Sequence, residues 1–274
     1  MNKNIFLFIL VLPLLLNCQG YEKLLKSSDY NLKFDKAFYY YKKADYTRAM
    51  TLFDQIAPYF RGTTKADSVY FFQAMVNFKL NDYILAGHYF KTFADTYGNS
   101  EFAEDASFYV AYCYYLSSPR PELDQTDTYN AVNAFRLFLI KYPRSDRKNE
   151  CLSMIDELRE KLVEKSFISA RLYFDLSNYK ASIVALNNSL IDYPESKYRE
   201  DILYLILKSN YLLASNSIVS KQKERYQETL DEYYSFISEF PDSKYRKDAD
   251  KMYKDSAKIL NIDSSTSNNE SNLN

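Results

Sequence analysis

Apolar residues recur along this chain at helical spacing, and the spacing itself repeats. In Asn178 to Ser196 (NYKASIVALNNSLIDYPES), Ile183, Leu186 and Leu190 fall on one helical face before the segment leaves through Tyr193, Pro194 and Ser196. With Leu186 as reference, the same frame recurs at Phe53, Phe90, Phe135 and Tyr233. A ring follows each reference by seven residues (Phe60, Tyr97, Tyr142, Tyr193, Phe240) and a hydroxyl by ten (Thr63, Ser100, Ser145, Ser196, Ser243). Proline comes directly after the ring at Pro143, Pro194 and Pro241. Alanine precedes the reference by sixteen (Ala37, Ala74, Ala170) or by four (Ala49, Ala86, Ala131), where two helices must approach closely. Tyr46, Tyr83, Tyr179 and Tyr226 stand seven before it. The references lie 37, 45, 51 and 47 residues apart, so the chain is an array of helix pairs, each burying its apolar side against the next.

Each reference helix is preceded by a partner of similar amphipathicity. Residues 31–43 lead to Asp45-Tyr46, and 64–80 lead to Asn81-Asp82-Tyr83. Asp or Asn at such a start is an expected cap, because its side chain accepts backbone N–H bonds that the first helical turn leaves unmade. A third first helix is expected over 101–117, then a loop from Ser118 to Asp127 and a second helix to about Lys141. No breaker interrupts 146–176, which predicts one unusually long helix. Residues 197–215 and 222–239 make the fifth pair, and a lysine-rich helix over about 244–260, with Asp248, Asp250 and Asp255, caps the array. The expected architecture is an all-α, right-handed solenoid of five helix pairs plus this capping helix. The repeats run from 30 to 260 in two halves (about 30–141 and 146–260), and 261–274, rich in Ser and Asn, is expected to be disordered.

The first 29 residues follow a different pattern. Lys3 precedes an apolar run from Ile5 to Leu16, too short to cross a bilayer as a helix, which needs about 20 residues. A positive start, a short apolar segment and a processing site make residues 1–17 a signal peptide. The site, Leu15 to Cys18 (LLNC), resembles the bacterial lipobox, although Asn17 stands where that motif carries Gly, Ala or Ser. The resemblance implies acyl chains on Cys18 and, with Gln19 rather than Asp following, delivery to the periplasmic face of the outer membrane. Two or more chains hold a protein to a membrane stably. Residues 18–29 then serve as anchor and linker.

Composition narrows the chemistry. A formal net charge of −1, with acids and bases interspersed, offers no field for nucleic acid. The four glycines frame no phosphate loop, and His88, the one histidine, reads as a helix-surface residue. Neither a metal site nor a cofactor is expected, and the chain reads as a non-enzyme. Cys113 and Cys151 fall among apolar neighbours and read as free and buried, a disulfide between them being the alternative. The charged stretch Glu157–Lys165 reads as a solvated helix face.

The alanine, tyrosine, ring and proline offsets resemble the tetratricopeptide repeat, with a period longer than its usual length. In that family, residues nineteen, fifteen and twelve before the reference line the concave groove. The resemblance implies groove positions at Phe34, Phe38 and Tyr41, then Phe71, Met75 and Phe78, then, carried through the loop, Phe108, Tyr112 and Tyr115. Repeats four and five place Phe167, Arg171, Phe174 and Tyr204, Lys208, Tyr211 there. The competing reading of each ring is plain core packing. The lysine and asparagine clamp by which co-chaperone members hold a peptide carboxylate has no counterpart, and an aromatic groove suits peptides with apolar side chains.

Residues 18 to about 260 together resemble the BamD family of outer-membrane assembly factors, through the lipobox, FLIKYPRS (138–145), LIDYPESKYREDI (190–202) and the long helix ending EKSFISARLYFDLSNY. That resemblance implies a lipid-anchored subunit of the β-barrel assembly machinery. Its partners would be unfolded outer-membrane protein clients, met at Phe34, Phe38, Phe71 and Met75, and the periplasmic domain of the barrel insertase, met at Arg171, Lys208, Lys197 and Arg199. The alternative is a periplasmic adaptor in envelope division or glycan uptake.

Overall fold

The computed structural model describes residues 20–262, and every regular element among them is an α-helix. The signal segment, Cys18 and most of the Ser/Asn-rich tail lie outside the described residues. The helices are α1 (20–26), α2 (Tyr30–Lys42), α3 (Tyr46–Phe60), α4 (Ala66–Lys79), α5 (Tyr83–Thr96), α6 (Ala103–Ser117), α7 (Thr126–Lys141), α8 (Lys148–Asp175), α9 (Tyr179–Asp192), α10 (Arg199–Ser215), α11 (Val219–Glu239) and α12 (Arg246–Ile259). Pairs α2/α3, α4/α5, α6/α7 and α10/α11 are the expected repeats, and the second half of α8 pairs with α9.

The repeating letters of the sequence are the closures of these pairs. Phe53, Phe90, Phe135 and Leu186 are fully buried, and Tyr233 nearly so. Three first-to-second-helix turns share one construction. Their middle residue, Ala44, Asn81 or Ser177, adopts a left-handed backbone (φ 57°, 63° and 59°). The following Asp45, Asp82 or Asn178 then caps the next helix, its side chain accepting from Arg48, Leu85 or Ala181 N–H. The exits are equally uniform. The residue ten after each reference donates its N–H to the carbonyl of the ring three positions back, at 2.9–3.2 Å in all five repeats. Its hydroxyl accepts the N–H two residues on (Lys65, Phe102, Arg147, Tyr198, Tyr245) at 3.0–3.3 Å. A short side chain with an acceptor oxygen closes a turn in this way, and all five repeats use a hydroxyl at that offset.

The chain divides into two compact units. One, up to Pro119 and over Gln125–Leu158, holds three apolar clusters, centred on Phe53, on Phe90 and on Phe135. The other, Arg120–Asp124 with Arg159 onward, holds one, around Leu186, Ile206, Leu207 and Phe236. The 28-residue α8 runs through the boundary. Cys151, Ile155 and Leu158 belong to the cluster of repeat three, and Phe167 and Ala170 to that of the second unit. One uninterrupted helix thus closes the third repeat and opens the fourth, which accounts for the 51-residue interval between Phe135 and Leu186. The 45-residue interval comes from the 118–125 connection. Its buried Gln125 accepts from Thr128, also buried, at 2.7 Å.

Two expectations change. Residues 20–26, expected as linker, are helical and packed. Tyr21, Leu24 and Leu25, at i, i+3 and i+4, face the first cluster, and Leu24 is buried. The aspartates of α12 do more than keep the end soluble. Tyr204 donates to Asp248, Tyr211 to Asp255 (3.3 Å) and Tyr233 to Asp250 (2.8 Å), while Ala249, Met252 and Ala257 supply the buried face. The stretch Glu157–Lys165 is likewise solvated on one side only, since Leu158 and Leu162 are buried.

Candidate functional site on the first-helix face

In the first unit the first helices carry an almost unbroken row of rings. Phe34 meets Phe38 at 4.8 Å between centroids, Phe38 meets Phe72 at 4.9 Å, and Phe72 meets Tyr41 at 5.0 Å. Farther along, Phe78 meets Tyr109 at 4.9 Å and Tyr112 at 5.9 Å, and Tyr112 stacks on Phe108 at 5.5 Å and on Tyr115 at 5.8 Å. The offset and edge-to-face geometries are those that aromatic quadrupoles favour.

Burial sorts the row into two kinds of residue. Phe34, Phe38, Tyr41, Phe78, Tyr112 and Tyr115 are half-buried and keep ring edges at the surface. Phe71, Met75 and Phe108 are 5%, 6% and 2% exposed. They belong to the core: Phe71 stacks on Phe102 at 4.6 Å and packs on Phe90 and Phe93, and Phe108 packs on Phe135 and Phe138. These three positions therefore correct the groove reading, because a turn of helix that reaches its own second helix cannot also face a ligand. Phe72 and Tyr109, one position beyond the family offsets, are the members that sequence reasoning missed. Nothing in the repeat frame distinguished them from solvent-facing rings.

The row is electrically quiet along its length and cationic at its edges. Burial pushes the Tyr41 hydroxyl up to about 12. The Tyr115 hydroxyl rises to about 12 as well, chiefly through its 2.7 Å bond to Glu157 and secondarily through burial. Both remain neutral donors. Lys65 lies 4.5 Å over Phe34, and the Arg147 guanidinium lies 4.2 Å over Phe108 while binding Asp105 at 2.7 Å. Such a surface offers ring area and neutral hydroxyls, and its two edge cations are turned onto its own rings.

The expected partner cations of the second unit are all engaged within it. Arg199 forms a forked pair with Glu239 and also donates to the Pro194 carbonyl at 3.2 Å. Lys208 donates to the Tyr204 hydroxyl at 2.9 Å and to Asp248 at 3.3 Å, beneath α12. Lys197 pairs with Glu160 at 3.1 Å and Arg171 with Asp175 at 3.5 Å, both pairs being more than half exposed. Arg199 thus clasps the two helices of the fifth pair, Lys208 ties that pair to the capping helix, and no contact brings the four together. Of the remaining groove positions in this unit, Phe167 stacks on Tyr198 at 4.5 Å and Tyr204 on Tyr245 at 3.8 Å, so both are interior.

His88 is exposed, and Cys113 and Cys151 are free and buried. Gly87 permits the approach of α5 to α6, since a Cβ there would stand 3.3 Å from that of Cys113. Among the described residues no cluster of His, Cys, Asp and Glu is arranged to hold a metal, and no helix is long and apolar enough to cross a membrane. An apolar trough of about 320 Å³ opens on a different side of α6, lined by Val110, Tyr114, Ala134 and Leu137 with Lys91 and Lys141 at its edge. Leu137 and Ile140, 67% and 76% exposed, stand beside it.

The sequence model of a family described as YfiO, outer membrane lipoprotein, matches residues 27–226. An outer membrane protein assembly factor BamD of Aquifex aeolicus (strain VF5) is 24% identical over 216 residues, spanning 78% of this chain and 70% of that protein. Among solved structures, the TPR domain of P58(IPK) is 15% identical with a TM-score of 0.41, over 88% of this chain and 58% of that one. The TPR2AB domain of yeast Sti1, in complex with pHSP90, is 13% identical with a TM-score of 0.38, over 84% and 99%. At those scores the two structures add nothing to what the helix pairs themselves display.

Proposed function

The chain belongs to the YfiO family of outer membrane lipoproteins, and on that premise we propose that it is a lipid-anchored scaffold for assembling outer-membrane β-barrel proteins. Anchoring is through acyl chains on Cys18, on the periplasmic face. The observation that carries the reading is the family match across the helix pairs, with the aromatic row of the first unit lying inside it. An extended client segment with apolar or aromatic side chains lies along Phe34, Phe38, Tyr41, Phe78 and Tyr112, gaining ring contacts that a folded barrel strand no longer offers. The second unit meets the insertase's periplasmic domain. Arg171 and Lys197, whose ion pairs are solvent-exposed and so worth little within the chain, are the cations available to it. No bond is made or broken; the scaffold contributes proximity.

The test is a pull-down of the tagged, membrane-extracted protein with its partners identified by mass spectrometry. Stoichiometric recovery of a large outer-membrane β-barrel with periplasmic domains is expected. Recovery of division or glycan-uptake proteins alone would sink the assembly reading and leave the anchored repeat array intact.

A further inference from the structure

The segment that follows Cys18 is fastened at both ends. At its start, Tyr21 donates its hydroxyl to the Arg48 carbonyl of α3 at 3.0 Å, its ring lies 5.5 Å edge-on to Tyr40, and the Arg48 guanidinium covers it at 5.3 Å. At its end, Lys33 donates to the Leu25 carbonyl at 2.9 Å and to Gln55 Oε1 of α3 at 2.8 Å. Lys33 is only 4% exposed, an unusual place for an ammonium group. It has a reason to be there: the last carbonyls of a helix lack internal partners and carry the negative end of its dipole. The connection to α2 is also closed, with Ser27 N–H bonded to the Leu24 carbonyl at 3.1 Å and Asp29 N–H to Ser27 Oγ at 3.0 Å. No slack separates α1 from the first repeat.

We infer that α1 is a rigid coupler that seats the first repeat on lipid headgroups, with Lys23 and Lys26 facing anionic phospholipid. This rests on the lipoprotein reading above. Cys18 precedes Gly20 by two residues, a reach of at most about 7 Å, so acyl chains on Cys18 leave α1 no room to stand off from the surface. The helix then has one face to offer. Tyr21, Leu24 and Leu25 are turned into the repeat, which leaves Glu22, Lys23 and Lys26 exposed on the opposite side, a net positive strip. Interfacial helices use basic polar faces in this way, although here the apolar face is spent on the protein and the acyl chains supply the hold. Lys33 is a positioning residue: it touches no lipid and fixes the angle at which α1 leaves the repeat.

The experiment uses the acylated full chain in vesicles of phosphatidylethanolamine and phosphatidylglycerol that contain a headgroup-nitroxide lipid. A bimane is placed on Ser28→Cys; burial of Cys113 and Cys151 keeps the label off them. Strong quenching and high label anisotropy are expected. Lys33→Ala should reduce the quenching at least two-fold and lower the anisotropy, and so should ten Gly/Ser residues inserted between Gln19 and Gly20, which leave the repeat intact. Lys23→Glu with Lys26→Glu should reduce quenching without lowering anisotropy. Equal quenching in the parent, the Lys33→Ala variant and the insertion variant, with all three floating with the vesicles, would overturn the coupler alone. A parent that does not float would overturn the lipid anchor and the coupler together.

Discussion

Ala44 holds a left-handed backbone with a methyl group attached. For a residue with a Cβ that conformation costs about 1–2 kcal/mol, while glycine there would lose about 0.5–1 kcal/mol more chain entropy on folding. Ala44→Gly should therefore stabilise the protein by about 0.5–1 kcal/mol, read as a higher midpoint in urea at unchanged slope. The same comparison applies at Ser177 and less at Asn81, because asparagine tolerates the conformation better. The cysteines give a second residue-scale prediction. Burial pushes the Cys113 thiol up to about 12 and Cys151 to about 11, so neither provides thiolate at neutral pH. Titration with a thiol reagent should find neither in the native protein and both after denaturation. The burial of these thiols was legible in the sequence, because their neighbours are apolar at helical spacing. The burial of Lys33 was not: its partners, Leu25 and Gln55, are set by packing, and a lysine in a polar stretch carries no sign of being turned inward.

The exit turn is the element in which sequence and structure correspond most closely. Ser196 is 7% exposed and its hydroxyl accepts the Tyr198 N–H at 3.2 Å. Ser196→Ala should cost about 1 kcal/mol, whereas Ser196→Thr should be close to neutral, since Thr63 closes the first repeat with the same bond; chemical denaturation of the pair separates the hydroxyl from the side-chain volume. Helix α11 carries the opposite kind of feature. Desolvation, with Asp231 and Glu228 beside it, holds the Glu232 carboxyl above the usual carboxylate range. The folded state then binds that proton more tightly than the unfolded chain does, so ionised Glu232 subtracts from stability at neutral pH. The loss disappears as pH falls through the raised value and past the unfolded one, near pH ~4. Glu232→Gln should raise thermal stability at pH 7, by less than about 1 kcal/mol because the group is partly solvated, and should make no difference below pH ~4. Helix positions and first-to-second-helix turns were readable from caps and periodicity; the helical state of residues 20–26 was obscured by its polar composition, since three apolar residues in seven do not establish a period.

At the scale of the whole molecule there are two units with separate cores, and the chain passes between them at both ends of the 120–124 segment and once more inside α8. Arg159 stands at the division. Proline there removes a backbone hydrogen bond and collides with the preceding turn, costing about 3 kcal/mol or more. Arg159→Pro should split thermal unfolding into two transitions, one for each unit, while Arg159→Ala should leave the parent profile; calorimetry distinguishes them. The length of α8 was predictable because no breaker occurs in it, but its double membership was not, since the repeat frame records only where second helices begin. The aromatic row was legible in outline from the repeat frame, and the burial of Phe71, Met75 and Phe108 was not, because the offset that faces a groove and the offset that faces the second helix of the same pair differ by a fraction of a helical turn.

The self-contained exit turn also governs how the chain can be edited. The bonds that close each turn come from residues inside it, and the further bond from the Ser100 hydroxyl to Asp67, at 3.0 Å, stays within the 37-residue module 66–102, so that module carries the partners of its own joint. A second copy spliced in tandem at that point meets the same ring, hydroxyl and helix start it left. No such module can be cut between repeats three and four, where the seam falls in the middle of α8. A builder wishing to lengthen this scaffold has interchangeable parts on either side of that helix, and must treat the helix itself as a single indivisible piece.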